Sequence, residues 1–368
     1  MKNTSEYFQQ RRDRLRRVLK KNSLAGFLVT KPQNVTYLSG FSGEDTYLLL
    51  WRDGEALISD SRFTLQIAEE CPGLEVMIRP SGVGLVKAAA RVVRRAKLSR
   101  VGFEASHVTV DVRESLERES GSVEWVSTSQ WVEDLRIVKD SEEIARIQKA
   151  ASQAMRAFAA VRASLRPDHE EKQIADLLEH HMRLLGARCA AFPTIVAVGP
   201  RAALPHAIPG HCRVDEHPIL LIDWGADEGW YKSDLTRVLV TGKIGPKFER
   251  LYQLVLRAQE AGIAAIGPGV TAAEVDAAAR KVIEDAGFGR AFGHGLGHGV
   301  GLEIHEAPSL SAKSKTVLKP GMVVTVEPGV YLPGWGGIRI EDDVLVTRSG
   351  REVLTSTPKS LDDIYVSL

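Results

Sequence analysis

The segment 219–240 reads ILLIDWGADEGWYKSDLTRVLV, an order that predicts two strands joined by a turn. An apolar run ends at Asp223, the GADEG stretch is typical of a turn, and the remainder predicts a second strand. A turn centred between Glu228 and Gly229 sets Asp223 opposite Asp234. Directly opposed residues have Cβ atoms about 4.5–5.5 Å apart, so two like charges there repel unless a cation lies between them.

A second acidic pair follows in the segment 323–341, which reads VVTVEPGVYLPGWGGIRIE. A turn centred on Gly334 puts Glu327 opposite Glu341. Two such pairs favour a metal site over two solvated hairpin faces, because carboxylates suit hard or borderline divalent cations. Arg339 points to the same strand face as Glu341, so we expect it either to orient the carboxylates or to form a structural salt bridge.

Three histidines lie between the two acidic hairpins, in the stretch GHGLGHGVGLEIHE at 293–306. Its glycines argue against a helix and predict a loop or distorted strand whose backbone packs close to a site. A lone histidine is more often a satisfied core residue. The cluster of His294, His298 and His305 instead favours a metal or acid–base site.

Composition is that of an ordinary enzyme. The 368 residues suggest two or three domains, 44% hydrophobic residues allow sizeable cores, and a net charge of +1 gives no case for a nucleic-acid partner. The basic segment 11–21 predicts a solvated amphipathic helix rather than a nucleic-acid-binding arm. No signal peptide or membrane span is expected. The three scattered cysteines fit a reducing cytoplasm and argue against a disulfide framework: Cys71, Cys189 and Cys212.

The pattern of elements is bipartite. Residues 1–135 alternate strands and helices, which predicts an α/β domain. Residues 136–368 predict an α+β domain in which four helices surround the hairpins. Thr271 begins a capping-box pattern at the last of these helices. The four helices are expected at 140–165, 169–186, 246–266 and 271–286.

These motifs resemble the metallopeptidase family with the pita-bread fold, which includes Xaa-Pro aminopeptidases, prolidases and methionine aminopeptidases. The resemblance rests on IDWGADEGWYKSDLTR, GHGLGHGVGLEIHE, TVEPG and GIRIED, whose order and spacing fit over about 140–368, and on the linker at 132–151. It implies a creatinase/prolidase-like α/β N-terminal domain at 1–135, followed by an α+β pita-bread catalytic domain at 136–368. It also implies internal pseudo-symmetry in the catalytic half, and a homodimer.

The resemblance implies two divalent metal ions, with His298 as the histidine ligand. His294 and His305 are expected beside the metals, as catalytic residues that do not bind them. Asp234 and Glu341 are expected to bridge both ions, and Glu327 to transfer a proton. Four oxygen-donor residues against one nitrogen favour Mn²⁺, with Co²⁺ or Zn²⁺ as alternatives. The expected ligands are Asp223, Asp234, His298, Glu327 and Glu341.

A proline nitrogen needs a proton to leave, and a histidine near the scissile bond suits that role or oxyanion stabilisation. We expect His305 and His206 to serve, although His206 also fits a turn histidine without a role. Trp224 is expected to shape the pocket or to pack in the core.

Substrate class depends on one departure from the family pattern. Many dipeptide-cleaving relatives have an arginine after the His-Glu-x-Pro segment, where it binds the substrate carboxylate. Here Ser309 stands at that place. We therefore expect a cytoplasmic Xaa-Pro aminopeptidase that acts on peptides with proline second, with a prolidase as the alternative. An inactive pita-bread binding module is the alternative of another class, and it predicts a missing ligand where none is missing.

Overall fold

A computed structural model describes residues 4–368, and their contacts divide the chain after Arg136 into two units. Residues 1–3 of the first predicted domain lie outside the described residues. No described helix is long and apolar enough to cross a membrane.

The first unit is an α/β sheet with helices packed on it. Its helices are α1 (Thr4–Lys21), α2 (Pro32–Ser39), α3 (Thr64–Glu70), α4 (Leu85–Arg95), α5 (Val110–Ser120) and α6 (Glu133–Arg136). Its strands are β1 (Gly26–Val29), β2 (Tyr47–Trp51), β3 (Gly54–Ser59), β4 (Val76–Ile78), β5 (Arg100–Glu104) and β6 (Glu124–Thr128). The strand order is β4-β3-β2-β1-β5-β6, with β1, β5 and β6 parallel.

The basic segment near the N-terminus is the amphipathic helix α1, as predicted. Leu15 and Leu19 are buried. Its basic face is exposed at Arg14, Arg17 and Lys20, as expected for a solvated amphipathic helix, whereas Arg11 and Arg12 are buried. Arg12 Nε donates to Glu55 Oε2 at 2.8 Å. Arg11 Nη1 donates to Tyr37 O at 3.0 Å, so both buried guanidinium groups have acceptors while their apolar stems join the core of the unit.

The second unit contains the four predicted helices, which differ from expectation only at their ends. Thr271 caps the last of them through a complete capping box. The helices are α7 (Ser141–Ala163), α8 (Glu171–Leu184), α9 (Pro246–Ala265) and α10 (Ala272–Asp285). The strands after α8 are β7 (Cys189–Ala190), β8 (Ile195–Val198), β9 (Ile219–Trp224), β10 (Ala226–Glu228), β11 (Tyr231–Lys232) and β12 (Leu235–Val240). The strands after α10 are β13 (Gly297–Gly299), β14 (Glu306–Leu310), β15 (Val323–Val326), β16 (Gly329–Leu332), β17 (Gly336–Arg339), β18 (Asp342–Val346) and β19 (Arg351–Val353). Each half of the unit thus consists of two helices followed by a long hairpin.

The first acidic hairpin has a different register from the predicted one. Asp223 lies opposite Thr236, not opposite Asp234. The turn residues are Gly229 (φ +54°) and Trp230 (φ +77°), and the preceding residues predicted as turn form β10. A two-residue turn of this type needs positive φ at both central positions, which Gly229 and Trp230 supply. The turn therefore lies one residue further along the chain than predicted, and the register of the paired strands shifts by two. Since side chains alternate, Asp223 and Asp234 remain on one face as diagonal neighbours.

The second acidic hairpin has the predicted register. β16 pairs with β17 and β15 with β18 in one common register, so Glu327 and Glu341 oppose each other between the two ladders. Pro328 lies in this interval and has no N–H to donate, which interrupts the ladder. Gly334 (φ +75°) lies at the centre of the turn.

Trp224 packs in the core, which decides between the two alternatives for this residue. Its side chain is fully buried and stacks on Phe158 with ring centroids 4.4 Å apart. The indole Nε1 donates to Ala154 O at 2.9 Å. Trp224 therefore packs the end of β9 against the core, directly beside Asp223 in the same strand.

Candidate metal centre

All five predicted ligands line one cavity of about 880 Å³ in the second unit. Asp223 lies near the end of β9, and Asp234 immediately precedes β12. His298 is in β13. Glu327 follows β15 and Glu341 precedes β18. Every ligand therefore comes from a strand end or from an irregular strand, where the backbone can turn a side chain inward.

The stretch that carries His298 is the predicted distorted strand. A bulge lies between His298 and Gly299. A Cβ at Gly297 would lie 2.1 Å from Thr325 O, and one at Gly299 would lie 2.3 Å from Ala307 O. Only glycine fits this close backbone approach. Because they lack a Cβ, Gly297 and Gly299 allow β13 to pack closely between β14 and β15.

The ligand atoms converge closely enough to bind a cation. Asp234, His298 and Glu341 offer atoms that all lie within 4.8 Å of one another. His298 Nε2 is 3.7 Å from Asp234 Oδ2 and 3.3 Å from Glu327 Oε1. His298 Nδ1 lies 3.1 Å from Gly299 O. A proton on Nδ1 for that hydrogen bond leaves the Nε2 lone pair facing the carboxylates.

Burial and crowding raise the pKa values of these carboxyl groups. The pKa of Asp234 lies well above its usual range through burial and the nearby charge of Glu341, and the pKa of Glu341 through burial and the charge of Glu327. Burial raises the pKa of Glu327 to about 7. Burial lowers the pKa of His298 to about 4, so its imidazole is neutral, as a metal ligand must be.

One carboxylate oxygen shows most directly that a cation fits this site. Asp223 Oδ1 is buried and receives no hydrogen bond from any described residue. A buried acceptor without a donor is costly, and a divalent cation would satisfy it. The four carboxylates and one neutral imidazole are therefore a donor set suited to divalent metal ions.

Arg339 contacts a ligand of the other hairpin. Its Nη2 donates to Asp223 Oδ2 at 2.6 Å, and its Nε donates to Thr236 Oγ1 at 3.0 Å. The Thr236 hydroxyl in turn donates to Glu341 Oε2 at 2.5 Å. Arg339 and Thr236 thus tie carboxylates from both hairpins into one hydrogen-bonded group.

The other predicted histidines line the same cavity, outside the group of three convergent ligands. His294 Nε2 is 3.0 Å from the Tyr331 hydroxyl, which also accepts from Arg339 Nη1 at 3.0 Å. Burial lowers the pKa of His294 to about 4. His305 lies with its ring 4.3 Å from the His298 ring, and His206 is exposed at the cavity wall.

Four residues that support the site were not predicted from the sequence. Thr236 donates to Glu341, and Tyr331 accepts from Arg339. Thr325 Oγ1 accepts from His298 N at 3.0 Å and donates to Glu327 Oε1 at 3.2 Å, while Asp343 accepts from Asp234 N at 2.9 Å. Strand alternation could have found Tyr331, because it lies four residues after Glu327 on the same strand face.

Comparison with known proteins gives two family matches that together span most of the chain. The model described as metallopeptidase family M24 matches residues 145–348, and the one described as creatinase/prolidase N-terminal domain matches residues 11–138. An Xaa-Pro dipeptidase of Pyrococcus furiosus is 36% identical over 354 residues, which cover 96% of this chain and 99% of the relative.

Two solved structures are similar to both units. One is an Xaa-Pro dipeptidase from Bacillus anthracis, with a TM-score of 0.93 and 36% identity over 98% of this chain and 100% of the other. The second is an X-Pro aminopeptidase from Thermotoga maritima, with a TM-score of 0.87 and 34% identity over 97% of this chain and 100% of the other.

Proposed function

The chain belongs to metallopeptidase family M24, and from this premise we propose that it is an Xaa-Pro aminopeptidase. It would remove the N-terminal residue from peptides whose second residue is proline. The observation that carries the proposal is that four carboxylates and one neutral histidine line one cavity of about 880 Å³, in which Asp234, His298 and Glu341 converge. The proposed domains are a creatinase/prolidase-like N-terminal domain at 1–135 and a catalytic domain at 136–368.

The ligand set of the proposed centre is Asp223, Asp234, His298, Glu327 and Glu341, with Asp234 and Glu341 as the bridging residues. Two divalent ions bound there would activate water and polarise the scissile carbonyl. Mn²⁺ is the proposed metal, with Co²⁺ and Zn²⁺ as alternatives. Glu327 is the proposed proton carrier, a role that the family resemblance implies, and its carboxyl group lines the cavity.

The histidines are proposed to act on the substrate rather than on the metals. Partial desolvation lowers the pKa of His305, so this side chain is neutral near pH 7 and suits hydrogen bonding to a developing oxyanion. His206 is exposed and is the proposed donor of a proton to the leaving proline nitrogen. Tyr331 orients His294 at the cavity wall.

Charge at the cavity wall supports a peptide longer than a dipeptide. Among the described residues that line the cavity, Arg339 is the single permanent cation, and it already serves Asp223 and Tyr331. Ser309 lies in the wall but carries no charge. A dipeptide's terminal carboxylate would therefore find no uncommitted cation there, whereas a longer peptide has no carboxylate at this position.

The prolidase alternative draws its support from the relatives, since the Pyrococcus furiosus and Bacillus anthracis proteins are both named Xaa-Pro dipeptidase. The test is a comparison of kcat/KM for Xaa-Pro dipeptides, Xaa-Pro tripeptides and Met-Ala peptides with Mn²⁺-loaded protein. Preference for tripeptides supports the aminopeptidase, and hydrolysis of dipeptides alone establishes the prolidase. Hydrolysis of none, with no metal bound, would establish a binding module.

Location and assembly are proposals of the same kind. Three free, scattered cysteines support a reducing cytoplasm. The family resemblance supports a homodimer, which light scattering of the full chain would test.

A further inference from the structure

Residues 204–209 read LPHAIP and form the mouth loop. Its residues 205–209 line the cavity, where His206 is the polar residue among apolar ones. Ala207 anchors the loop and is 3% exposed. Ile208 lines the same cavity, yet 83% of its surface is exposed. Single exposed apolar residues are common on proteins. An isoleucine at the rim of a substrate cavity, however, can be buried by the ligand itself.

The mouth loop is fixed in place by one buried carboxylate. Glu171 is fully buried and accepts hydrogen bonds from Val198 N and Gly210 N, each at 2.8 Å, at the two ends of the loop region. It also accepts from Arg201 Nε at 2.9 Å. Arg201 Nη2 donates to Ile208 O at 2.6 Å. The backbone of Ile208 is therefore held in position before a ligand arrives, which reduces the cost of ordering the loop on binding.

The direction of the substrate follows from exopeptidase geometry, and this step rests on the proposed function. An enzyme that removes one N-terminal residue encloses that end of the peptide at the metal ligands. The chain beyond proline must leave through the mouth, where Ile208 lies. We propose that Ile208 contacts the third residue of the substrate and selects apolar side chains at that position.

The test compares Ala-Pro-Leu with Ala-Pro-Gly on Mn²⁺-loaded protein. The unmodified enzyme should favour Ala-Pro-Leu about tenfold in kcat/KM, the effect expected from burying part of one apolar side chain. Ile208→Ala should lower kcat/KM for Ala-Pro-Leu about fivefold and leave Ala-Pro-Gly within about twofold. Ile208→Lys should shift the preference towards Ala-Pro-Glu, which a purely structural role would not do.

Leu204→Ala is the matched control, because Leu204 is on the same loop and 53% exposed but does not line the cavity. Its preference ratio should equal that of the unmodified enzyme. Equal losses on both tripeptides for Ile208→Ala, or the same ratio change for Leu204→Ala, would overturn the assignment of Ile208. Hydrolysis of Ala-Pro without any tripeptide hydrolysis is a different result, because it overturns the proposed aminopeptidase and this inference with it.

Discussion

Arg339 donates to one oxygen of Asp223 at 2.6 Å, while the other oxygen of Asp223 is buried without a donor among the described residues. The two oxygens of one carboxylate thus have different partners. The arginine fixes the orientation of the group, and the second oxygen remains available to a cation. Arg339 thus orients a proposed metal ligand without occupying the oxygen that would face a cation.

Asp234→Ala should abolish metal binding and peptidase activity while the fold is retained. Burial and the charge of Glu341 raise the pKa of Asp234 well above its usual range, so this carboxylate is destabilising without metal. The metal-free variant should therefore melt no lower than the metal-free parent. Metal analysis and thermal unfolding test both statements, and full activity in the variant would end the two-metal interpretation.

Arg339→Lys should weaken the centre although the charge is kept. A lysine cannot bond simultaneously to Asp223, Thr236 and Tyr331 as the planar guanidinium does. Arg339→Met should go further and cost about 3–5 kcal/mol in the metal-free protein, because it leaves a buried carboxylate unpaired. Denaturant unfolding measures the cost. Equal stability of the parent and the Met variant would show that Arg339 does not stabilise the metal-free site.

Ionisation of Glu327 should make the metal-free protein less stable as the pH rises. Its folded pKa is about 7, against an unfolded value of about 4.3. The protonated carboxyl is favoured in the folded state, so its contribution is present below the unfolded pKa and is lost as pH rises through about 7.

Glu327→Gln isolates this effect from the histidines, whose lowered pKa values act in the opposite direction. Relative to the parent, the metal-free variant should gain stability as pH rises from the unfolded pKa of about 4.3 to the folded pKa of about 7. Urea titrations at each pH provide the comparison. A pH-independent difference would show that Glu327 does not titrate as described.

His305→Ala should lower turnover much more than metal occupancy, by about 10²–10⁴-fold if it acts as a general acid or oxyanion donor. His180→Ala is the control, because His180 is exposed on α8 and does not line the cavity. Steady-state kinetics and metal analysis on the same samples decide the question. Parallel loss of metal and activity would identify His305 as a ligand.

Ser309→Arg should move the specificity towards dipeptides. The new guanidinium would stand in the cavity wall, where it can pair with the carboxylate that follows proline. We expect kcat/KM for Ala-Pro to rise relative to Ala-Pro-Leu by about tenfold or more, the size of a charge-assisted hydrogen bond. An unchanged ratio would mean that the carboxylate of a dipeptide lies elsewhere.

The two hairpins show what sequence could predict and what it could not. For Glu327 and Glu341, Pro328 and the glycines at the turn constrain the register, and the predicted opposition is confirmed. For Asp223, the turn depends on positive φ at Trp230, a conformation that few large side chains adopt and that no propensity signals.

Hydrogen bonds between segments that are distant in the chain could not be predicted from the sequence either. Thr236 reaches Glu341, and Asp343 receives the hydrogen bond of Asp234 N, each across more than a hundred residues of chain. Periodicity describes the face of a single strand and says nothing about which strand lies across from it. The five proposed ligands could be selected from sequence because they lie in motifs, and they line one cavity. The residues that support them depend on tertiary packing.

The interrupted ladder at Pro328 has a thermodynamic consequence. The outer part of this hairpin, β16–β17, continues from the inner part across a stretch where Glu327 and Glu341 face each other instead of forming a regular backbone pair. A metal bound by both hairpins would join distant parts of the folded chain, and because the site exists only in the folded state, binding would stabilise that state. Part of the free energy of metal binding would be folding free energy, so chelation should appear as faster amide exchange in β16 and β17.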